Sequence, residues 1–212
     1  MSIEEELKVL GELRNSSQFS ETYYFWNHET EEHLKTIIKV LLNEYEKPEW
    51  NLPFFIIMKD LLMNANKANM KRAYFEETDL NIHHAGDYDF GLRNFKSLIL
   101  KGKIHSLQEK SRSLGLCVEL ILEHSRSGVQ IEIINNSPMV REEAKKIRNS
   151  LLSSQEYSDI TQYQKERADD SEGEGLGIPL IIMTLKYYKI PPQNFTIYSS
   201  AGKTISKVEI PF

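Results

Sequence analysis

The chain has 212 residues, 40% of them hydrophobic and 27% charged, with a formal net charge of -5; this describes a globular protein of one medium domain plus an extension and excludes disorder throughout. The acidic balance argues against a generic nucleic-acid surface, because phosphate-backbone affinity comes from clustered Lys and Arg. The acidic start, Met1 to Glu6, lacks the parts of a signal peptide, no apolar run approaches membrane-spanning length, and the single cysteine, Cys117, rules out an intrachain disulfide or a zinc cluster built on thiolates.

These features predict a cytoplasmic protein with neither membrane nor nucleic acid as partner. Ile3, Leu7, Leu10 and Leu13 recur at helical spacing, giving an N-terminal helical extension over residues 1–28. That helix suits packing on the domain or on a second subunit, so a homodimer is among the expected states. Leu34, Ile37, Ile38, Leu41, Leu42 and Tyr45 mark a second helix, with Thr30, Glu31 and Glu32 capping and charging its start and Lys47-Pro48-Glu49 ending it. A third should begin after Pro53 and reach about Phe75, with Phe54, Met58, Leu61, Leu62 and Ala65 on one apolar face.

Residues 76–113 read as a helical and loop insertion, with His83-His84-Ala85-Gly86-Asp87 as a loop and Leu92, Phe95, Leu98 and Ile99 hinting at a helix. His83, His84 and Asp87 lack further metal ligands at suitable spacing. Leu116 to His124 and Val129 to Asn135 alternate apolar and polar around Ser125 to Gly128 and predict a β-hairpin, with Cys117 as a core residue. A short helix over Glu142 to Leu152 leads to a polar segment, 153–172, expected to be a mobile loop. Gly173, Gly175 and Gly177 then run into an apolar helix ending near Tyr188, and Phe195 to Ser199 with Thr204 to Ile210 close the chain as a second hairpin around Ala201-Gly202-Lys203. The fold class predicted is α+β: a two-layer sandwich with a mixed, largely antiparallel sheet covered on one face by helices.

Three features carry chemistry. The glycine junction suits an anion, because glycines let backbone N–H groups approach it and the following helix aims its unpaired N–H groups at the same place. On the third helix, Asp60, Asn64, Lys67 and Lys71 follow at spacings of four, three and four and line one stripe. An Asn oxygen is a hard ligand of the kind Mg²⁺ takes beside phosphate oxygens and water, a carboxylate one turn earlier can orient water, and lysines further along offset phosphate charge. A polar stripe is also what any amphipathic helix needs for solvation, and that reading stands beside the chemical one.

The order of these parts resembles the GHKL ATPases, which share the Bergerat nucleotide-binding fold: Asp60-Leu61-Leu62-Met63-Asn64-Ala65 on a helix, a strand running into Asn135-Asn136-Ser137-Pro138, a polar lid, Gly173-x-Gly175-Leu-Gly177, and Gly202-Lys203-Thr204 near the end. The resemblance covers residues 29–212 and is closest to the catalytic ATP-binding domain of sensor histidine kinases, with Leu176-Gly177-Ile178-Pro179-Leu180 and Ile210-Pro211 looking like that branch. It implies ATP and Mg²⁺ as ligands, Asn64 as the metal ligand, Asp60 as the water-orienting or basic group, and Lys67 facing the phosphates. It further implies Gly173, Gly175 and Gly177 as glycines of the lid, Asn135 at the adenine amino group, and Thr204 fixing adenine through water.

Two departures stand out. The family's Asp-x-Gly-x-Gly is replaced by Asn135 to Met139, so the adenine-facing group is uncharged and the glycines are gone, and Asp60 is one methylene shorter than the usual glutamate. His28 and His33 are the only histidines near the region for a phosphoacceptor, and neither begins such a motif. The expected function is an ATP- and Mg²⁺-binding signalling module with an unidentified protein partner and weak or no hydrolysis or phosphotransfer. The alternatives are a non-catalytic interaction protein on the same scaffold, or a pocket altered for another purine nucleotide.

Overall fold

The computed structural model describes residues 3–157, 159–167 and 176–212. Helix α1 (Ile3–Asn15) leads into strand β1 (Gln18–Tyr23), followed by α2 (His28–Glu44), a 3-10 turn at Pro48–Trp50 and α3 (Asn51–Glu77). Next come α4 (Ala85–Leu100), α5 (His105–Ser113), β2 (Val118–Ser125), β3 (Gly128–Asn135), α6 (Arg141–Ser154), α7 (Ile160–Arg167) and α8 (Gly177–Tyr187). The chain closes with β4 (Phe195–Ser200) and β5 (Lys203–Pro211).

The strands form one five-stranded sheet in the order β1-β2-β3-β5-β4, and all four pairings are antiparallel. The protein is therefore α+β with two layers, and its sheet is more uniform than the mixed one expected. Strict alternation explains the layering. On β2 and β3 the residues Val118, Leu120 and Leu122, and Val129, Ile131 and Ile133, are buried, while their neighbours are less so. They meet Leu34, Ile37, Ile38 and Leu41 of α2, Phe54, Ile57, Met58 and Leu61 of α3, and Ile181, Ile182 and Leu185 of α8 in one core.

Several local expectations change. Gln18–Tyr23, placed in the helical extension, pairs with β2 from Gln18↔Glu123 to Tyr23↔Val118 and is the edge of the domain's own sheet. Phe19 and Tyr23 alternate into the core, but six residues are too few for the pattern to stand out beside the helices. Helix α1 buries Val9 and Leu13 and leaves Leu7 62% exposed, so its inward face is rotated from the one read in the sequence. Asn27, not Thr30, caps α2: its side chain accepts from Thr30 N at 2.8 Å, and Thr30 Oγ1 accepts from Asn27 N at 2.8 Å.

The 76–113 region is helical and has its own core, where Met70, Tyr74 and Phe75 of α3 meet Tyr88, Leu92, Phe95 and Leu107. The His84 side chain caps α4 by accepting from Asp87 N, and the Asp87 carboxylate accepts from Asn81 N, so this loop starts a helix. Cys117 lies just before β2, half-buried rather than in the core, and burial with the neighbouring Glu119 raises its thiol pKa. Segment 153–172, expected to be a loop, contains α7, with 158 and 168–172 outside the described residues. Tyr157 and Tyr163 stack edge to face with centroids 5.1 Å apart and pack on Met183, giving this polar stretch an anchor that its composition concealed.

Candidate functional site

Helix α3 carries the first part of the site. Asp60 and Asn64 stand one turn apart, and Asn64 Nδ2 donates to Asp60 Oδ2 at 2.7 Å. This commits the amide nitrogen to Asp60 and leaves Asn64 Oδ1 as the atom suited to a hard cation. Burial raises the Asp60 carboxyl pKa, with Lys67 and the Asn64 hydrogen bond opposing it. Because the folded state then holds the proton more tightly than the unfolded chain, stability falls as pH rises from the ordinary carboxylate range through the higher folded pKa. Asp60→Asn is accordingly expected to raise the Tm at neutral pH, and thermal melts of the two proteins check this.

Gly177, the first residue of α8, comes to the same place. A Cβ built on it would fall 2.8 Å from Asp60 Cγ and closer still to a carboxylate oxygen, so any larger residue would force the Asp60 side chain or the start of α8 to shift. The start of α8 thus sits against the Asp60 carboxylate. Gly173 and Gly175 lie outside the described residues.

The sheet supplies the third part. Asn135 ends β3 on the helix-facing side, where the row Val129, Ile131 and Ile133 is otherwise apolar, and it is 3% exposed. Its Nδ2 donates to the α3 carbonyl of Ala65 at 3.1 Å, while its Oδ1 is buried with no hydrogen-bond partner among the described residues. Such an acceptor is costly to leave unpaired. Thr204 lies directly across β5 from Asn135, and its hydroxyl donates to Ser137 O at 2.8 Å. In this state Thr204 therefore holds the loop after β3.

That loop is fixed on several sides. Asn136 Oδ1 accepts from Cys117 N at 2.9 Å and its Nδ2 donates to Gly115 O at 2.7 Å, and Met139 N donates to Ser199 Oγ at 3.2 Å. No residue from Asn135 to Val140 has a positive φ, so the backbone path needs no glycine.

Lys71 does not join the stripe. Its ammonium pairs with Glu143 of α6, as does Arg72 at 2.9 Å, and all three side chains are nearly buried. Arg72 also donates to Pro138 O, and Glu143 Oε2 accepts from Val140 N at 3.0 Å, closing the first turn of α6. Burial alone would raise the Glu143 pKa; Lys71, Arg72 and the Val140 N–H outweigh it and lower it to about 2. Sequence reasoning missed this triad. Lys71-Arg72 at the inner side of a helix requires a carboxylate, but the sequence offers 31 acidic residues and no way to choose among them.

The structure thus brings Asn64 and Gly177 each against Asp60 and places Asn135 and Thr204 opposite each other at the end of β3 beside α3. Lys67 influences Asp60 electrostatically. His33 Nε2 lies 3.0 Å from Glu21 Oε2 and joins α2 to β1. Among the described residues no group of three or more His, Cys, Asp or Glu side chains could hold a metal. No described helix is long and apolar enough to cross a membrane.

No family model matches the chain, and no solved structure matches it. It is similar to a protein of Treponema pallidum (strain Nichols) described as an "Uncharacterized protein", 27% identical over 190 residues that make up 90% of this chain. The chain spans 37% of that relative's length.

Proposed function

We propose that the chain is a histidine kinase-like module of the GHKL type that binds ATP with Mg²⁺ between α3, the start of α8 and the loop after β3. The observation that carries this reading is the seating of Gly177 against the hydrogen-bonded Asp60–Asn64 pair. Gly177 and the Asp60–Asn64 pair of α3, far apart in sequence, come together, as a phosphate-holding site needs. Asn64 Oδ1 would hold the cation, which offsets phosphate charge when bound. Asp60, its pKa raised, is placed to orient or accept a proton from water, and Asn135 Oδ1 offers an acceptor for an adenine amino group. Segment 153–172 is the part that responds to the triphosphate and alters the surface offered to a protein partner in the cytoplasm.

The Asp60 carboxylate, one methylene shorter than a glutamate, favours binding over turnover, while the neutral Asn135, already bonded to Ala65 O, and the pinned loop after it leave adenine a weaker partner. They also support a second reading, a non-catalytic interaction protein on this scaffold. Calorimetric titration with ATP, ADP and GTP, with and without Mg²⁺, separates the two. Mg²⁺-dependent binding of a purine nucleotide is expected, lost in Asn64→Ala and retained in Asp60→Ala, which instead abolishes any phosphate release. Failure of every nucleotide to bind at millimolar concentration would refute the proposal.

A further inference from the structure

The sheet has two edges, and they are built differently. β1 carries Glu21 on its helix-facing side, paired with His33 of α2, and an inward-facing charge is one of the devices that discourage a further strand. β4 has no such device. It reads Phe-Thr-Ile-Tyr-Ser-Ser, without a charge, proline or glycine, and stays in one-to-one register with β5 from Phe195↔Val208 to Ser200↔Lys203, without a bulge. Thr196, Tyr198, Ser199 and Ser200 are exposed, and among the described residues no backbone group pairs with the outer side of this strand.

The solvent-facing side of the sheet adds a second observation. Ile134, Ile205 and Tyr198 stand in one row across β3, β5 and β4, an apolar strip that runs to the free edge, where Tyr198 is 42% exposed.

We propose that β4 is an interface for a second copy of this chain, the two β4 strands pairing antiparallel about a two-fold axis to join two five-stranded sheets. The second copy fits because the edge is complementary to itself. An uncharged strand meets its twin without like-charge opposition, the free N–H and C=O groups of each find mates, and the two Tyr198 strips meet across the seam. This does not depend on nucleotide binding.

Light scattering on the full chain at increasing concentration tests it. The mass is expected to rise from the 24.7 kDa of one chain toward twice that value. The double variant Thr196→Lys/Tyr198→Lys places like charges on both sides of the seam and is expected to stay at the mass of one chain with an unchanged circular dichroism spectrum. Hydrogen exchange supplies a reading that needs no variant: the amides of Phe195–Ser200 should exchange more slowly at high concentration. A wild-type chain that stays monomeric, a dimer that persists in the folded lysine variant, or β4 amides indifferent to concentration would each overturn the proposal.

Discussion

Glu143→Ala is expected to destabilise the protein by about 3–5 kcal/mol at neutral pH, because it leaves the Lys71 and Arg72 charges nearly buried without their carboxylate. The same change removes the acceptor that holds Val140 N, so the start of α6 loosens as well. A pH dependence accompanies this. The folded pKa of Glu143 lies at about 2 against an ordinary value of 4.5, so its contribution is fully present above the ordinary value and is lost as pH falls from there toward about 2. At about 1.36 kcal/mol per pH unit, the difference corresponds to roughly 3 kcal/mol. Denaturant titrations at neutral pH and through the acid range check both parts. In Glu143→Gln the loss of stability between pH 4.5 and about 2 should shrink, since the titrating group is gone. An unchanged acid profile would mean that another carboxylate carries it.

Gly177→Ala is the second change with a large expected effect. The added methyl would fall on the Asp60 carboxylate, and overpacking of this kind costs about 1–3 kcal/mol. The carboxylate is tied to Asn64 at 2.7 Å, so relief must come either from breaking that hydrogen bond or from moving the first turn of α8. Movement of the first turn of α8 distorts the proposed phosphate site, and nucleotide affinity should then fall in parallel, whereas loss of the hydrogen bond alone leaves binding in place. A double-mutant cycle isolates the contact: with Asp60→Ala as the second change, the alanine at 177 finds space. The two substitutions should then be non-additive by about 0.5–3 kcal/mol. Additive free energies of unfolding would show that α8 does not begin against Asp60.

Much of the fold was legible because burial imposes periodicity. Leu34, Ile37, Ile38 and Leu41 announce α2 at helical spacing, and Leu120, Leu122, Ile131 and Ile133 announce a half-buried hairpin by alternation. The closing hairpin was legible from two β-forming runs around Ala201-Gly202-Lys203, though not its turn geometry, since the two-residue turn takes positive φ at Ala201 as well as at Gly202. β1 was not legible because two buried positions in six residues make no period. The same applies to α7, whose few apolar side chains form only a satellite cluster with Met183.

The candidate site divides in the same way. The sequence by itself determined which residue types are present and which share a helix, so Asp60 and Asn64 could be paired from their spacing of four. It also determined that a glycine junction precedes α8. Only the tertiary structure decided that Gly177 abuts Asp60, that Asn135 keeps an oxygen beneath α3 unpartnered among the described residues, and that Lys71 belongs to Glu143 rather than to the stripe. The reason is physical. Spacing along a helix fixes neighbours within a few residues, whereas the contacts between α3, α6, α8 and β3 are set by how the elements pack over one sheet, and local pattern carries no information about that docking.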